Sequence, residues 1–317
     1  MWIGVAYAWV AGLTWGLVFV APLLLPDYPP PLLSAARYLA FGLIALPLAW
    51  WDRQELACLS RRDWVEALRL SAVGNLAYYL FLSAAIQRAG GPLPTMIIGT
   101  LPVIIAITSK LQSRAEATGE RSLSWRRLWP SLLLMAAGIA CVNQVEFQRL
   151  QQDLGSISFD VMRYASGAML AVAAVVCWTW YPLRNTRWLR THPERSPRGW
   201  ATAQGLATLP LAALGYGAYG WWNEASHQAF VMPWGPDPTT FLGLMFSIGL
   251  LASWVGTLCW NEASQRLPAT LSGQLIVFET LAALAYAWAL RGRWPDASTW
   301  IGAALLVSGV VWALRQR

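Results

Sequence analysis

Glu279 offers this sequence its most reactive group in an unusual place. It is a carboxyl inside the apolar run Leu267–Leu290. A carboxyl at that depth can bind a proton or a solute's ammonium group; it can equally stay protonated and bond to a neighbouring helix. Arg37 interrupts a second apolar run, Pro31–Trp51. A guanidinium there can pair with a solute carboxylate, snorkel outward, or bridge to a loop acid. Aromatic residues fall inside other apolar runs, at Trp15, Tyr78, Tyr79, Trp178, Tyr181, Trp254 and Trp260. Such rings can stack on a planar or cationic solute, or simply pack. The candidate substrate-binding set is therefore Trp15, Arg37, Tyr78, Tyr79, Trp178, Tyr181, Trp260 and Glu279. Asn75, Asn143 and Asn261 read as hydrogen-bonding groups between helices.

Other chemistry has little to stand on. Two His and four Cys with no CxxC spacing leave neither a metal site, nor a cofactor site, nor a disulfide framework. Gly215–Gly220 formally fits GxGxxG, but it follows no strand and lies within an apolar run. No Walker lysine motif and no HExxH occurs, so ATP-driven pumping is not expected and the chain is not read as an enzyme.

The elements that must position these groups follow from composition. Hydrophobic residues make up 56% of 317 positions and charged residues 12%. Ordinary globular domains carry roughly a quarter charged residues, so water cannot be the main solvent of this surface. The mean hydropathy of +0.42 agrees. The 21 Trp fit a membrane interface, where an amphipathic ring suits the headgroup zone. Trp2, Trp50, Trp51, Trp64, Trp125, Trp129, Trp200, Trp221, Trp222, Trp294 and Trp300 lie at run ends and are expected there.

A bilayer core of about 30 Å needs about 20 apolar residues per helix. Ten runs approach that length: Trp2–Leu25, Pro31–Trp51, Leu70–Gln87, Ala89–Ser109, Leu128–Val145, Tyr164–Leu183, Gly199–Asn223, Thr239–Asn261, Leu267–Leu290 and Ala297–Leu314. They are continuous rather than alternating, which favours helices over barrel strands. The start, Met1-Trp2-Ile3-Gly4, lacks a basic region, so the first run is expected to be a permanent helix. With the N-terminus inside, sixteen Lys and Arg fall in inner connections and five in outer ones. That bias predicts cytoplasmic termini. It also accounts for the +7 net charge by topology, with no nucleic-acid partner. Two outer connections are long. Glu146–Arg163 carries Phe147, Leu150 and Leu154 at helical spacing, which suits a short interfacial helix; Ala225–Pro238 is proline-rich and predicted irregular.

The chain also repeats itself. Ala85-Ile86-Gln87-Arg88 matches Ala263-Ser264-Gln265-Arg266, and Pro102 then corresponds to Thr280. Trp129 with Gly138 matches Trp300 with Gly309, and Trp15-Gly16 matches Trp178-Thr179. The units are 1–145 and 164–317, joined by 146–163. Each holds five runs, an odd number, so the second enters the membrane inverted. Inverted repeats are a mark of secondary transporters with a midplane site.

With these residues in view, the sequence resembles the drug/metabolite transporter superfamily, EamA type, over essentially its whole length. The matching features are Ala11-Gly12-Leu13-Thr14-Trp15-Gly16, Arg37-Tyr38-Leu39-Ala40, Leu82-Ser83-Ala84-Ala85 through Pro102, Trp178-Thr179-Trp180-Tyr181 and Phe278-Glu279. Thr280 departs from the pattern, standing where the family usually has proline. The resemblance implies an all-α, ten-helix bundle around a central cavity in the cell inner membrane, and export of amino acids or other metabolites by alternating access. A channel or non-transporting membrane receptor is the alternative, and a membrane enzyme acting on lipid is a weaker one. Expected partners are a small-molecule substrate and the lipid bilayer; a homodimer stays open.

Overall fold

The computed structural model describes residues 1–89, 92–115, 125–154, 160–227, 229–292, 294 and 296–315. Among these, regular structure is helical throughout, with no strand. In chain order, apart from a short helix at Arg53–Ala57, the helices are α1 (Trp2–Leu24), α2 (Pro30–Trp51), α3 (Arg61–Ala89), α4 (Pro92–Ile98), α5 (Leu101–Ala115) and α6 (Trp125–Leu154). They continue with α7 (Val161–Thr191), α8 (Pro197–Ala225), α9 (Pro238–Arg266), α10 (Ala269–Leu275), α11 (Val277–Arg291) and α12 (Ala297–Arg315).

Among the described residues, seven helices are long and apolar enough to cross a membrane: α1, α2, α3, α7, α9, α12 and the stretch Leu271–Leu290. The other expected runs are also helical, but shorter or more polar. Met96–Leu111 and Leu128–Gln144 are the apolar parts of α4–α5 and α6. Helix α8 is long enough, yet it buries Thr202, Gln204, Thr208 and Asn223. Those groups dilute its apolar character because they face protein rather than lipid.

Helix starts follow local chemistry. Pro30, Pro197 and Pro238 occupy first turns, where a missing N–H costs nothing. Ser60 and Asp63 cap α3 reciprocally, with Ser60 N donating to Asp63 Oδ2 at 2.8 Å. Asp160, Ser196 and Asp237 cap α7, α8 and α9. Gly292, in the left-handed region at φ 60°, ends α11.

Two helices are wound irregularly at matching places. Ser71–Ala77 in α3 and Gly249–Val255 in α9 are seven-residue π segments. They stand at the same sequence offset as Gln87 and Gln265. The run after each of these helices is broken alike, into seven residues (α4, α10) and then fifteen (α5, α11).

The bundle is closed by pairings of α2 with α8, α6 with α12, α3 with α7, α5 with α10, and α1 with both α9 and α11. In lipid such contacts depend on close packing rather than on hydrophobic expulsion. Gly12 shows this: a Cβ there would lie 2.5 Å from Phe278 Cβ and 2.8 Å from Glu279 N, so only glycine lets α1 touch α11.

Several expectations are modified. The segment holding Phe147, Leu150 and Leu154 is no separate interfacial helix, because α6 runs unbroken to Leu154; part of the 146–163 connection lies outside the described residues. The connection after α8 is irregular, as its prolines require, and Asn223 Nδ2 ties it down by donating to Phe230 O at 2.9 Å. Trp2, Trp50, Trp51, Trp221 and Trp294 are exposed at helix ends. Trp200 is a correction: it is buried, stacked on Trp188 with ring centroids 3.5 Å apart, because the start of α8 packs on the end of α7. The side chain of Trp125 lies outside the described residues.

Candidate functional site

The eight candidate residues converge. Helix α1 supplies Trp15, α2 supplies Arg37, and α3 supplies Tyr78 and Tyr79 directly after its π segment. Helix α7 supplies Trp178 and Tyr181 one turn apart, α9 supplies Trp260, and α11 supplies Glu279. All eight are buried. Trp178 is the hub. It stacks on Tyr78 at 4.5 Å and on Tyr181 at 5.2 Å, and meets Trp15 edge-on at 4.9 Å. Trp15 also contacts Trp260 at 5.2 Å.

Two glycines make this cluster dense. A Cβ on Gly74 would lie 2.1 Å from Tyr181 Cδ2, and one on Gly256 would lie 2.7 Å from Trp15 Nε1. Among the described residues these rings touch one another directly. Cavities of about 760 and 530 Å³ lie elsewhere, one between α4–α5 and α6, the other between α5 and α7. Asn143 lines the larger one. Asn75 and Asn261 do bond between helices: Asn75 donates to Thr208 at 3.3 Å, and Asn261 accepts from Asn185 at 2.8 Å.

Each of the two charged groups is held by one hydrogen bond from or to a neighbouring helix. Trp178 Nε1 donates to Glu279 Oε2 at 3.2 Å, while Glu279 Oε1 has no partner. Glu279 lies one turn past Ile276, where the backbone stays right-handed helical and Leu271–Leu290 runs on as one span. The neighbouring-helix bond weighed for Glu279 is therefore present, but it satisfies only one oxygen.

Arg37 neither snorkels nor reaches a loop acid. It is 3% exposed, and its guanidinium lies over Tyr79 at 4.5 Å and Tyr38 at 4.7 Å. Arg37 Nε donates to Ser253 Oγ at 3.2 Å and Nη1 has no partner. It makes no ion pair with Glu279. The indole N–H of Trp260 is also without a partner, whereas the Tyr78 hydroxyl faces the Glu279 carboxyl and the Tyr79 hydroxyl faces Ser83. A buried polar group left unpaired costs about 1–3 kcal/mol, more when charged.

Sequence reasoning missed the supports. Ser253 holds Arg37, and Gln204 accepts from the Tyr181 hydroxyl at 2.8 Å. Gln204 Nε2 and Trp200 Nε1 both donate to Asn185 Oδ1. Gln204 and Asn185 were visible signals, being amides at membrane depth; Ser253 carried none. Among the described residues no group of three or more His, Cys, Asp or Glu is placed to hold a metal.

Comparison with known proteins adds an independent line. The model of the EamA-like transporter family matches residues 2–125 and 165–315. The chain is 51% identical over 314 residues to the Escherichia coli (strain K12) inner membrane protein YtfF, covering 99% of this chain and 95% of that protein. It is 29% identical over 70 residues to the Bacillus subtilis (strain 168) permease-like protein YdzE, covering 22% of this chain and 90% of that one. A solved structure described only as "Crystal structure of protein" superposes with a TM-score of 0.69 at 19% identity, covering 99% of both chains. That last likeness speaks for the fold alone.

Proposed function

The chain belongs to the EamA-like transporter family of the drug/metabolite transporter superfamily, and from that premise we propose a secondary exporter of small organic metabolites that works by alternating access. The solutes are amino acids or drug-like compounds combining an apolar or planar body with an ammonium or carboxylate group. Rings from α1, α3, α7 and α9 take the body, Arg37 takes a carboxylate, and Glu279 takes an ammonium group or a proton.

One observation carries this reading: Arg37 and Glu279 are buried in a single aromatic cluster, are not paired with each other, and each keeps an unpartnered atom. Burying an ion costs several kcal/mol after relaxation. A protein that needed these charges only for folding gains more from pairing them.

Alternating access requires two interchangeable halves, and we read 1–145 and 164–317 as an inverted repeat of five helices each. The matched π segments and the matched helix breaks support it. So do the reciprocal pairings α3 with α7 and α1 with α9. The name of the E. coli relative supports an inner-membrane location, and the Lys and Arg bias supports cytoplasmic termini.

The test is solute flux. Purified protein in liposomes, screened with preloaded metabolites, shows saturable movement of at least one of them. Glu279→Gln and Arg37→Met abolish that movement while leaving the protein folded. Steady single-channel current without saturation overturns the reading.

A further inference from the structure

Two glutamines make the same contact at opposite ends of the bundle. Gln87, at the end of α3, donates through Nε2 to Tyr28 O at 2.7 Å, in the connection between α1 and α2. Gln265, at the end of α9, donates through Nε2 to Arg195 O at 3.1 Å, in the connection between α7 and α8. The ends are opposite because Tyr28 also binds Asp237, at the start of α9. Helix α9 has 29 residues, so its two ends stand about 43 Å apart at 1.5 Å per residue.

Each gripped connection crosses to the other half of the chain. At the first end, the Tyr28 hydroxyl donates to Trp234 O at 2.9 Å and accepts from Asp237 N at 2.8 Å. Its ring stacks on Phe241 at 4.8 Å. These partners lie in or beside the connection between α8 and α9. At the second end, Trp188 Nε1 donates to Asp63 Oδ1 at 3.0 Å, and His192 stacks on Trp188 at 4.6 Å. Asp63 begins α3, just after the connection from α2. Arg184 binds Glu66 of α3 through both nitrogens it offers.

We propose that Gln87 and Gln265 are paired positioning residues for transport, each pinning the loop that seals one mouth of the solute site, so that losing either amide donor unlocks its own end only. This rests on the transporter reading above. The logic is local and mechanical. A half-buried amide that donates to a backbone carbonyl holds a loop whose neighbouring contacts join the two halves. Without the donor, the loop keeps its contacts across the halves, and at the second end the bond from Asn261 to Pro197 O, but loses this anchor to its own half, and the seal opens more often. One net intramolecular hydrogen bond is worth about a fivefold change in such an equilibrium.

Two fully buried serines on α3 report the two ends. Ser71 lies on the Asp63 side of Tyr78 and Tyr79, and Ser83 lies on the Gln87 side. In a chain whose cysteines 58, 141, 177 and 259 are replaced by serine, Ser83→Cys and Ser71→Cys are made singly. Each is reacted with a small water-soluble maleimide on purified protein. Gln87→Ala raises the labelling rate of Ser83→Cys about fivefold and leaves Ser71→Cys unchanged or slower. Gln265→Ala does the reverse. Gln87→Met and Gln265→Met, which keep length but have no donor, match the alanine variants. Joint acceleration of both reporters by either variant means general loosening and overturns the assignment, as does no change in either. Wild-type flux in liposomes is measured alongside. Its absence defeats the transporter reading whatever the labels show, whereas flux with joint acceleration defeats the glutamine assignment alone.

Discussion

Gly74→Ala is the sharpest structural perturbation of the site. Gly74 lies in the π segment of α3, facing the flat of Tyr181. A methyl there would sit 2.1 Å from Tyr181 Cδ2, 2.5 Å from Cγ and 2.7 Å from Cβ. Ordinary carbon contacts lie near 3.5–4.0 Å, so the ring must retreat by more than about 1 Å. It is poorly free to do so. Trp178 stacks on it at 5.2 Å with planes 2° apart, and its hydroxyl donates to Gln204. Overpacking of this kind costs about 1–3 kcal/mol. A double-mutant cycle isolates the clash. Tyr181→Ala alone costs about 3–5 kcal/mol, as large-to-small aromatic changes do. In the double variant the new methyl enters the vacated space, so its penalty vanishes. Thermal unfolding in detergent therefore shows a favourable coupling of about 1–3 kcal/mol between the two changes. Additive losses within about 0.5 kcal/mol refute the reasoning.

Other substitutions follow the same logic. Trp178→Phe removes the N–H that holds Glu279 and lowers solute affinity at least tenfold in equilibrium binding, with a melting temperature near that of wild type. Gly12→Val pushes α11 off α1 at Glu279 and costs about 1–3 kcal/mol, visible as a lower melting temperature and lost flux. Ser60→Ala breaks the cap of α3 far from the site, costing about 1 kcal/mol in stability with flux per folded molecule unchanged.

What the sequence made legible was whatever lipid dictates. The described residues of the apolar runs are helical apart from short breaks, because backbone groups away from water must bond within their own segment. Glu279 and Arg37 stood out because charge at that depth is expensive, and both reached the centre. The aromatic residues were harder, since packing and binding use the same rings; only the fold shows Trp178 touching three of the others. Trp200 misled because a tryptophan at a run's end looks like an anchor until α7 packs over it. Ser253 was illegible, because a serine in an apolar helix has no feature that names Arg37 as its partner 216 residues away. The π segments were equally hidden, since side-chain patterning does not announce a widened helical turn. The ring contacts were also beyond reach: composition shows which rings exist, not whether they touch.

The central claim is that Arg37 and Glu279 bind one solute inside the aromatic cluster. Equilibrium binding of a solute transported by the wild-type protein, measured by scintillation proximity on wild type, Arg37→Met and Glu279→Gln, tests it most directly. The account predicts saturable binding to wild type and at least a hundredfold weaker binding to both variants, each with a folded melting profile. Unchanged affinity in both variants contradicts it.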